Sequence, residues 1–284
     1  MRKLKRYNEL LQYAQEHQFT VPGFNIFNME TAQAVIKASD EMNVPVIIQI
    51  YSGDISHTDG PAMIKAIVEA EIQTAEIDVA LGLDHGRSFE EAKLCVDSGF
   101  TGVMIDLSSQ DYSYNVRQTI ETVKYAHERG VSVEAELGII SNGDSDPKVL
   151  EQGFTDPKMA RQFVMDTGVD CLAVAIGTAH GVYKTKPRID FDLLQELIEC
   201  VPCPIVVHGG SGTPDDDVER MVRMGIAKLN IGTDLFIGYN KGLIKTMEGK
   251  EPDKVRAVDA SATARDEVYK VAQNKLEILT RFRK

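Results

Sequence analysis

Residues 45–50 read Pro45-Val46-Ile47-Ile48-Gln49-Ile50, and this stretch decides the fold. Apolar, mostly β-branched side chains fall on both parities. The segment therefore reads as a strand covered on both faces, which is the situation of a parallel sheet flanked by helices. Cys171–Ile176 has the same character. Working outward, similar short runs occupy Val21–Ile26, Pro45–Ile50, Asp78–His85, Gly102–Ser108, Val131–Leu137, Cys171–Gly177, Pro204–Gly209 and Ile226–Gly232. Longer amphipathic stretches lie between them, among them Thr31–Met42, Pro61–Glu76, Phe89–Ser98, Asn115–Arg129, Lys158–Thr167, Phe191–Cys200 and Asp215–Met224. Gly99, Gly130, Gly168 and Gly225 are placed to cap helices, and Asp156-Pro157 and Thr213-Pro214 to start them. Strand–helix alternation predicts a parallel sheet, and eight repeats of the unit predict closure into an α/β fold, the (β/α)8 TIM barrel. An extra N-terminal helix (about Arg2–His17) and a C-terminal helical extension (about Asp259–Phe282) flank the barrel. With no linker or low-complexity segment, residues 1–284 are expected to form a single domain.

The formal net charge of -12 and the pI near 5.0 argue against binding to nucleic acid or an anionic membrane surface. An anionic substrate then needs a local positive site. No apolar run approaches the ~20 residues that span a bilayer, and no signal peptide is visible, so a cytoplasmic location is expected. Cys200-Val201-Pro202-Cys203 has the C-x-x-C spacing but no second pair, and reads as a helix-to-strand turn.

The active site of such a barrel lies at the C-terminal ends of its strands. The polar residues there are Asn25, Gln49, Asp84, His85, Asp106, Glu134, Glu136, His180, His208 and Asn230. His85, His180 and His208 sit at or just after strands three, six and seven. His17, His57 and His127 fall in helices or loops and are expected to be solvated. Neutral imidazoles are the commonest ligands of a catalytic Zn2+, which keeps three protein ligands and one open position. Two glycine-rich segments, His208-Gly209-Gly210-Ser211-Gly212 and Asn230-Ile231-Gly232-Thr233-Asp234, follow strands seven and eight. This is the usual phosphate site of the fold. Glycine lets backbone N–H groups approach the anion, and Ser and Thr add donors.

Leu83-Asp84-His85-Gly86, Glu134-Ala135-Glu136-Leu137-Gly138, Ala175–Tyr183, Val207–Gly212 and Lys228–Asp234 resemble, in this order, the motifs of the class II fructose- and tagatose-bisphosphate aldolases. The likeness runs from about Val21 to about Asn274 and is nearer to the tagatose-type branch. It implies His85, His180 and His208 as ligands of one Zn2+ per subunit, Asp84 as the acid/base at the C4 hydroxyl, and Glu136 as a carboxylate able to approach the metal. It also implies Gly181, Gly209, Gly210, Ser211, Gly232 and Thr233 around the phosphate of dihydroxyacetone phosphate, with a Na+ or K+ ion near Gly181 and Gly209. Asn25 and Asn230 are implied as substrate-orienting amides and Asp106 as a nearby carboxylate. Assembly as a homodimer or homotetramer follows from the same likeness.

The chain departs from the family pattern at several points. Gly82 stands where the family has the first His of His-x-Asp-His. Asp106-Leu107-Ser108-Ser109 replaces Asp-Gly-Ser-His, and Tyr51-Ser52-Gly53 only loosely matches the family's serine-containing segment. In the loop after strand five, Ser141–Gly153, expected to act as a lid, Asp144 stands in place of the catalytic Glu. The C-terminal Arg that clasps a distal phosphate has Arg265 as its nearest counterpart. The expected reaction is reversible cleavage of a phosphorylated ketose, fructose or tagatose 1,6-bisphosphate in type, to dihydroxyacetone phosphate and an aldehyde. In it Asp84 serves C4 and Asp144 exchanges the proton at C3. Lys228 is a weaker candidate, as a Schiff-base nucleophile. A ketose 1-phosphate with a non-phosphate distal group, another metal-dependent TIM-barrel enzyme such as a hydrolase, and a non-catalytic sugar-phosphate-binding barrel remain alternatives. Three histidines also accept Co2+, Mn2+ or Fe2+.

Overall fold

A computed structural model describes residues 2–143 and 151–284. Eight parallel strands close in sequence order, β1 (Val21–Asn25), β2 (Val46–Tyr51), β3 (Val79–Gly86), β4 (Gly102–Ile105), β5 (Ser132–Leu137), β6 (Cys171–Val174), β7 (Ile205–Val207) and β8 (Lys228–Ile231), with β8 returning to pair with β1. The expected TIM barrel is what the chain forms. Among the described residues, helix α1 (Tyr7–Glu16) precedes β1. Helices α2 (Met29–Glu41), α3 (Pro61–Glu71), α4 (Phe89–Asp97), α5 (Tyr112–His127), α6 (Pro157–Thr167), α7 (Phe191–Cys200) and α8 (Asp215–Met224) lie between strands. The final two, α9 (Thr233–Met247) and α10 (Ala257–Leu279), follow β8. No helix among the described residues is long and apolar enough to cross a membrane.

The helices start and stop where their sequences direct. Asn28, Ser88, Asp156 and Asp190 cap α2, α4, α6 and α7 through side-chain acceptors, while Gly168 and Gly225 end α6 and α8 in the left-handed region. Helix α9, which the periodicity does not single out, begins directly at the β8 loop. Its Gly238 and Gly242 interrupt the apolar pattern because α10 crosses there. A Cβ on Gly242 would lie 2.4 Å from Ala264 Cα. The small buried face of α10 (Ala260, Ala264, Ala272) allows that close approach.

The N-terminal helix does more than flank the barrel. Its buried residues Tyr7, Leu10, Leu11 and Ala14 recur at helical spacing, so one face is turned to the barrel floor. Tyr7 is fully buried inside the N-terminal end of the barrel. A Cβ on Gly82 would meet its hydroxyl at 1.5 Å, and one on Gly102 would meet its ring at 2.4 Å. This gives a physical reason for Gly82, the position at which the resembled pattern has histidine: the space is filled from α1 instead. Asn8 N–H donates to Ser132 Oγ at 3.3 Å and Lys5 N–H to the Val79 carbonyl at 2.8 Å, which fix the helix entry. Tyr7→Ala is expected to destabilise the fold by about 3–5 kcal/mol, since the floor cannot collapse into the hole. Urea unfolding measures this, and a loss below about 1 kcal/mol would show that the ring is not part of the core.

Candidate active site

At the C-terminal ends of the strands lies a cavity of about 570 Å³. Its centre is a cluster of three imidazoles. His85 Nε2 is 3.2 Å from His180 Nε2 and 2.9 Å from His208 Nδ1. His85, next to last in β3, has φ of 50°, a left-handed conformation unusual for a non-glycine residue, and its backbone N–H reaches Met104 Sδ at 3.3 Å. His180 is held by pairing between two loops. Its N–H donates to the Ser141 carbonyl at 3.0 Å, and its carbonyl accepts from Gly143 N–H at 2.7 Å. His208 follows β7 and is completely buried.

The outer ring nitrogens fix the tautomers. His85 Nδ1 lies 2.7 Å from Asp106 Oδ2, and His208 Nε2 lies 2.8 Å from Glu134 Oε1. A carboxylate accepts, so these nitrogens carry protons, and His85 Nε2 and His208 Nδ1 are left facing each other. Two ring nitrogens at that distance need a shared cation between them, a proton or a metal ion. The donor set thus fits a metal ion held by His85, His180 and His208, with carboxylates orienting two of the rings from behind. His85, Asp106 and Glu136 form a second group close enough to share an ion.

The electrostatics around the rings have separable causes. Burial opposes charge on His85, but Asp84, the hydrogen bond to Asp106 and Glu136 outweigh it and raise its pKa to about 10. Burial, then His85 and His208, lower the pKa of His180 to about 3. Burial also lowers that of His208, against the pull of Glu134. Asp84 is buried, which would favour its neutral form. His85, His208 and Lys228 reverse this and hold its pKa below the usual carboxylate value. Asn25 Nδ2 donates to one of its oxygens at 2.6 Å and Asn230 Nδ2 to the other at 2.9 Å, while Gln49 Nε2 holds Asn25 Oδ1 at 2.7 Å. Asp84 is an ionised, oriented carboxylate at the edge of the metal cluster. Glu136 is the opposite case, with burial and then Asp106 raising its pKa well above the ordinary value. Ser108 Oγ lies 2.7 Å from Asp106 Oδ1 and 3.0 Å from Glu136 Oε1, so the divergent strand-four motif still serves both acids.

Behind His208 stands an ion pair. Lys228 Nζ donates to Glu134 Oε2 at 2.6 Å, with both side chains buried and Tyr7 below. Burial alone would raise the pKa of Glu134, but Lys228 and His208 bring it to about 2. The amine of Lys228 is engaged in this pair, which leaves it no part as a nucleophile. Glu134→Gln is expected to weaken zinc binding about 10–100-fold by removing the negative charge behind His208. Competition with a chromophoric chelator reads this directly, and affinity within twofold of the parent would sink the idea.

Gly181, Gly209, Ser211, Gly232 and Thr233 line one side of the cavity. Gly209 has φ of 75°, and a Cβ there would sit 2.4 Å from the Ala179 carbonyl, so only glycine fits. Gly210 does not line the cavity. Its N–H is spent on the Asn230 carbonyl at 2.9 Å. Ser211 Oγ accepts from Gly232 and Asp234 N–H at 3.2 and 3.0 Å, which joins the β7 loop to the start of α9. Lys275 of α10 pairs with Asp234 at 2.9 Å and braces that start. Tyr183 Oη accepts from Ala179 N–H at 2.7 Å and lies 3.3 Å from the Gly209 carbonyl, tying the β6 loop to the β7 loop. An anion placed here meets glycine-rich backbone, hydroxyls and the N-terminus of a fifteen-residue helix.

Not every expected residue arrives. Arg265, expected near a distal phosphate, lines a separate groove on the outside of the barrel with Gln33, Asp40 and Tyr269. It donates to Gln33 Oε1 at 3.2 Å. The reason is its position on α10, which packs against α2 rather than over the strand ends. Asp144, with residues 144–150 of the expected lid, lies outside the described residues. Tyr51, Asp54, Arg87, Ile140, Asn142 and Phe236 line the cavity without having been singled out as site residues. The adjoining Tyr51-Ser52-Gly53 departure was the available signal for two of them.

A parallel barrel with converging imidazoles, an oriented carboxylate and a glycine-built anion site places this chain among barrel enzymes that act through a bound metal ion. The sequence profile of the family described as Fructose-bisphosphate aldolase class-II matches residues 5–284. The fructose-bisphosphate aldolase of Geobacillus stearothermophilus is 38% identical over 249 residues, 86% of each chain. That of Staphylococcus aureus (strain Mu50) is 41% identical over 239 residues, 83% of each. Among solved structures, the YdjI aldolase from Escherichia coli K12 matches with a TM-score of 0.86 at 31% identity, over 98% of this chain and 97% of that one. The chain belongs to the class-II fructose-bisphosphate aldolase family, and is a metal-dependent carbon–carbon lyase.

Proposed function

We propose that this chain, as one domain, uses Zn2+ to cleave a ketose 1,6-bisphosphate of the fructose or tagatose configuration reversibly to dihydroxyacetone phosphate and an aldehyde. The observation that carries the reading is the convergence of His85, His180 and His208 beside Asp84, with Asp106 and Glu134 orienting two of the rings. His85, His180 and His208 hold the metal, which when bound supplies Lewis-acid polarisation of the ketone oxygen. Gly181, Gly209, Ser211, Gly232 and Thr233 hold the C1 phosphate, with Gly210 shaping the loop. That grip sets the register of the reacting carbons. Asp84, kept ionised by its neighbours and aimed by Asn25 and Asn230, takes the C4 hydroxyl proton as the C3–C4 bond breaks. The bonding pair stays with C3, and Asp144 then delivers a proton there. In condensation the same groups act in reverse. Glu136, whose pKa burial and Asp106 raise, stands 3.9 Å from His85 Nδ1 as a further carboxyl group able to approach the metal.

The reading places the chain nearer the tagatose-type branch, on the character of its strand-end motifs. The reading also includes a Na+ or K+ ion by Gly181 and Gly209, assembly as a homodimer or homotetramer, and a cytoplasmic setting. A second reading, a ketose 1-phosphate with a non-phosphate distal group, is favoured by one observation: Arg265 is not at the cavity. The deciding experiment is cleavage of fructose and tagatose 1,6-bisphosphates and fructose 1-phosphate, with and without a chelator and with zinc restored. Chelator-sensitive release of dihydroxyacetone phosphate supports the proposal. A zinc-loaded protein that cleaves none of them overturns the proposed substrate.

A further inference from the structure

The cavity has two ends. The anion site is built by the loops after β6, β7 and β8, and the imidazoles and Asp84 occupy the middle. In a closed barrel of eight strands in sequence order, the ends of β2 and β3 lie across the mouth from those loops. A ketose phosphate anchored at C1 and presenting C4 to Asp84 on β3 must extend its remaining carbons over that side. Three side chains line it: Tyr51, Asp54 and Arg87.

Arg87 is the only lysine or arginine lining the cavity among the described residues. It follows His85 by two residues, so its backbone is fixed relative to the metal cluster. Glu91, one helical turn on, accepts from Arg87 N–H at 2.9 Å, from Nε at 3.0 Å and from Nη2 at 2.5 Å. This fork holds the guanidinium by one edge. Its Nη1 has no partner among the described residues. The side chain is 64% exposed at the mouth, whereas Glu91 is the more covered member of the pair. A guanidinium oriented on one edge and open on the other is suited to a planar or tetrahedral oxyanion. Asp54, a carboxylate on the same rim, accepts hydrogen bonds and so suits a sugar hydroxyl.

We infer that Arg87 is the specificity residue for the aldehyde half of the substrate, binding an anionic group at its far end, while Asp54 accepts from a hydroxyl beside it. The inference rests on the aldolase reading of the same cavity. It assigns to β3 a task that Arg265 is too far away to perform within this chain. Two anions share the required chemistry, a C6 phosphate and a C6 carboxylate, and kinetics can separate them.

Zinc-loaded parent, Arg87→Ala and Arg87→Lys would be compared on fructose 1,6-bisphosphate, tagatose 1,6-bisphosphate, the C6-carboxylate analogue of fructose 1-phosphate, and fructose 1-phosphate itself. The parent is expected to prefer at least one anion-ended substrate over fructose 1-phosphate. In Arg87→Ala the ratio of kcat/KM for that substrate to kcat/KM for fructose 1-phosphate should fall about tenfold, mainly through KM. Arg87→Lys should recover part of the ratio, because it restores the charge without the fork. The arm that loses most identifies the anion. A parent with no preference for an anionic end, or an Arg87→Ala ratio equal to the parent's, overturns the assignment while leaving the aldolase reading intact. A parent that cleaves no member of the set overturns both.

Discussion

Removing the His180 imidazole as His180→Ala is expected to lower kcat/KM by about 10³-fold or more, with loss of bound zinc, because a Lewis acid supplies several kcal/mol to this kind of charge development. His180 is the cleanest of the three rings to delete. His208 is backed by the buried Glu134–Lys228 pair and His85 by Asp106, so truncating either also removes a hydrogen bond from a carboxylate and disturbs more than the metal site. Among the described residues His180 is held through its backbone to Ser141 and Gly143, and those bonds survive a change to alanine. Metal content by elemental analysis and cleavage rate, measured on the same preparation, test the expectation. A variant with full zinc and a rate within tenfold of the parent would remove His180 from the ligand set.

The second large effect is expected at Asp84. Asp84→Asn should lower kcat by about 10²–10⁴-fold, the usual contribution of a positioned general base. Shape is nearly conserved, so zinc content should stay at the parent level, which distinguishes this loss from that of His180→Ala. The structural reason is that Asp84 accepts from two amides, Asn25 and Asn230, and has His85 Nε2 4.0 Å away. Asparagine can accept from one of the amides but cannot take a proton. Comparable turnover by a zinc-replete Asp84→Asn would show that another group deprotonates the C4 hydroxyl.

Much of this was legible in the chain because it depends on local pattern. Pro45–Ile50 announces a doubly covered strand, and the repeat of that signal announces the barrel. His85, His180 and His208 stand at strand ends, which the barrel turns into one face. Their convergence, and the tautomers set by Asp106 and Glu134, depend on register between strands distant in sequence, which no local pattern encodes. Gly82 read only as a missing histidine. Its cause, the Tyr7 ring, sits seventy-five residues earlier and becomes visible only when α1 is placed under the barrel. Arg87 and Glu91 have the spacing of an ordinary exposed helix pair, so nothing local marked Arg87 as lining the cavity. Arg265 misled in the opposite direction, since its sequence position resembles a clasp while α10 carries it to the outer wall.

The placement of Tyr7 also bears on how the molecule is made. The ring of Tyr7 on helix α1 rests against Gly82, Gly102 and the Lys228 side chain, the last of which is synthesised more than two hundred residues later. At about 5–20 residues per second, that interval is roughly ten to forty seconds. Until β8 closes the barrel, α1 has no floor to cover, and Tyr7, Leu10 and Leu11 remain an apolar face open to chaperones that bind nascent chains. A helix that precedes the whole barrel in the chain thus completes its packing only with the last strand.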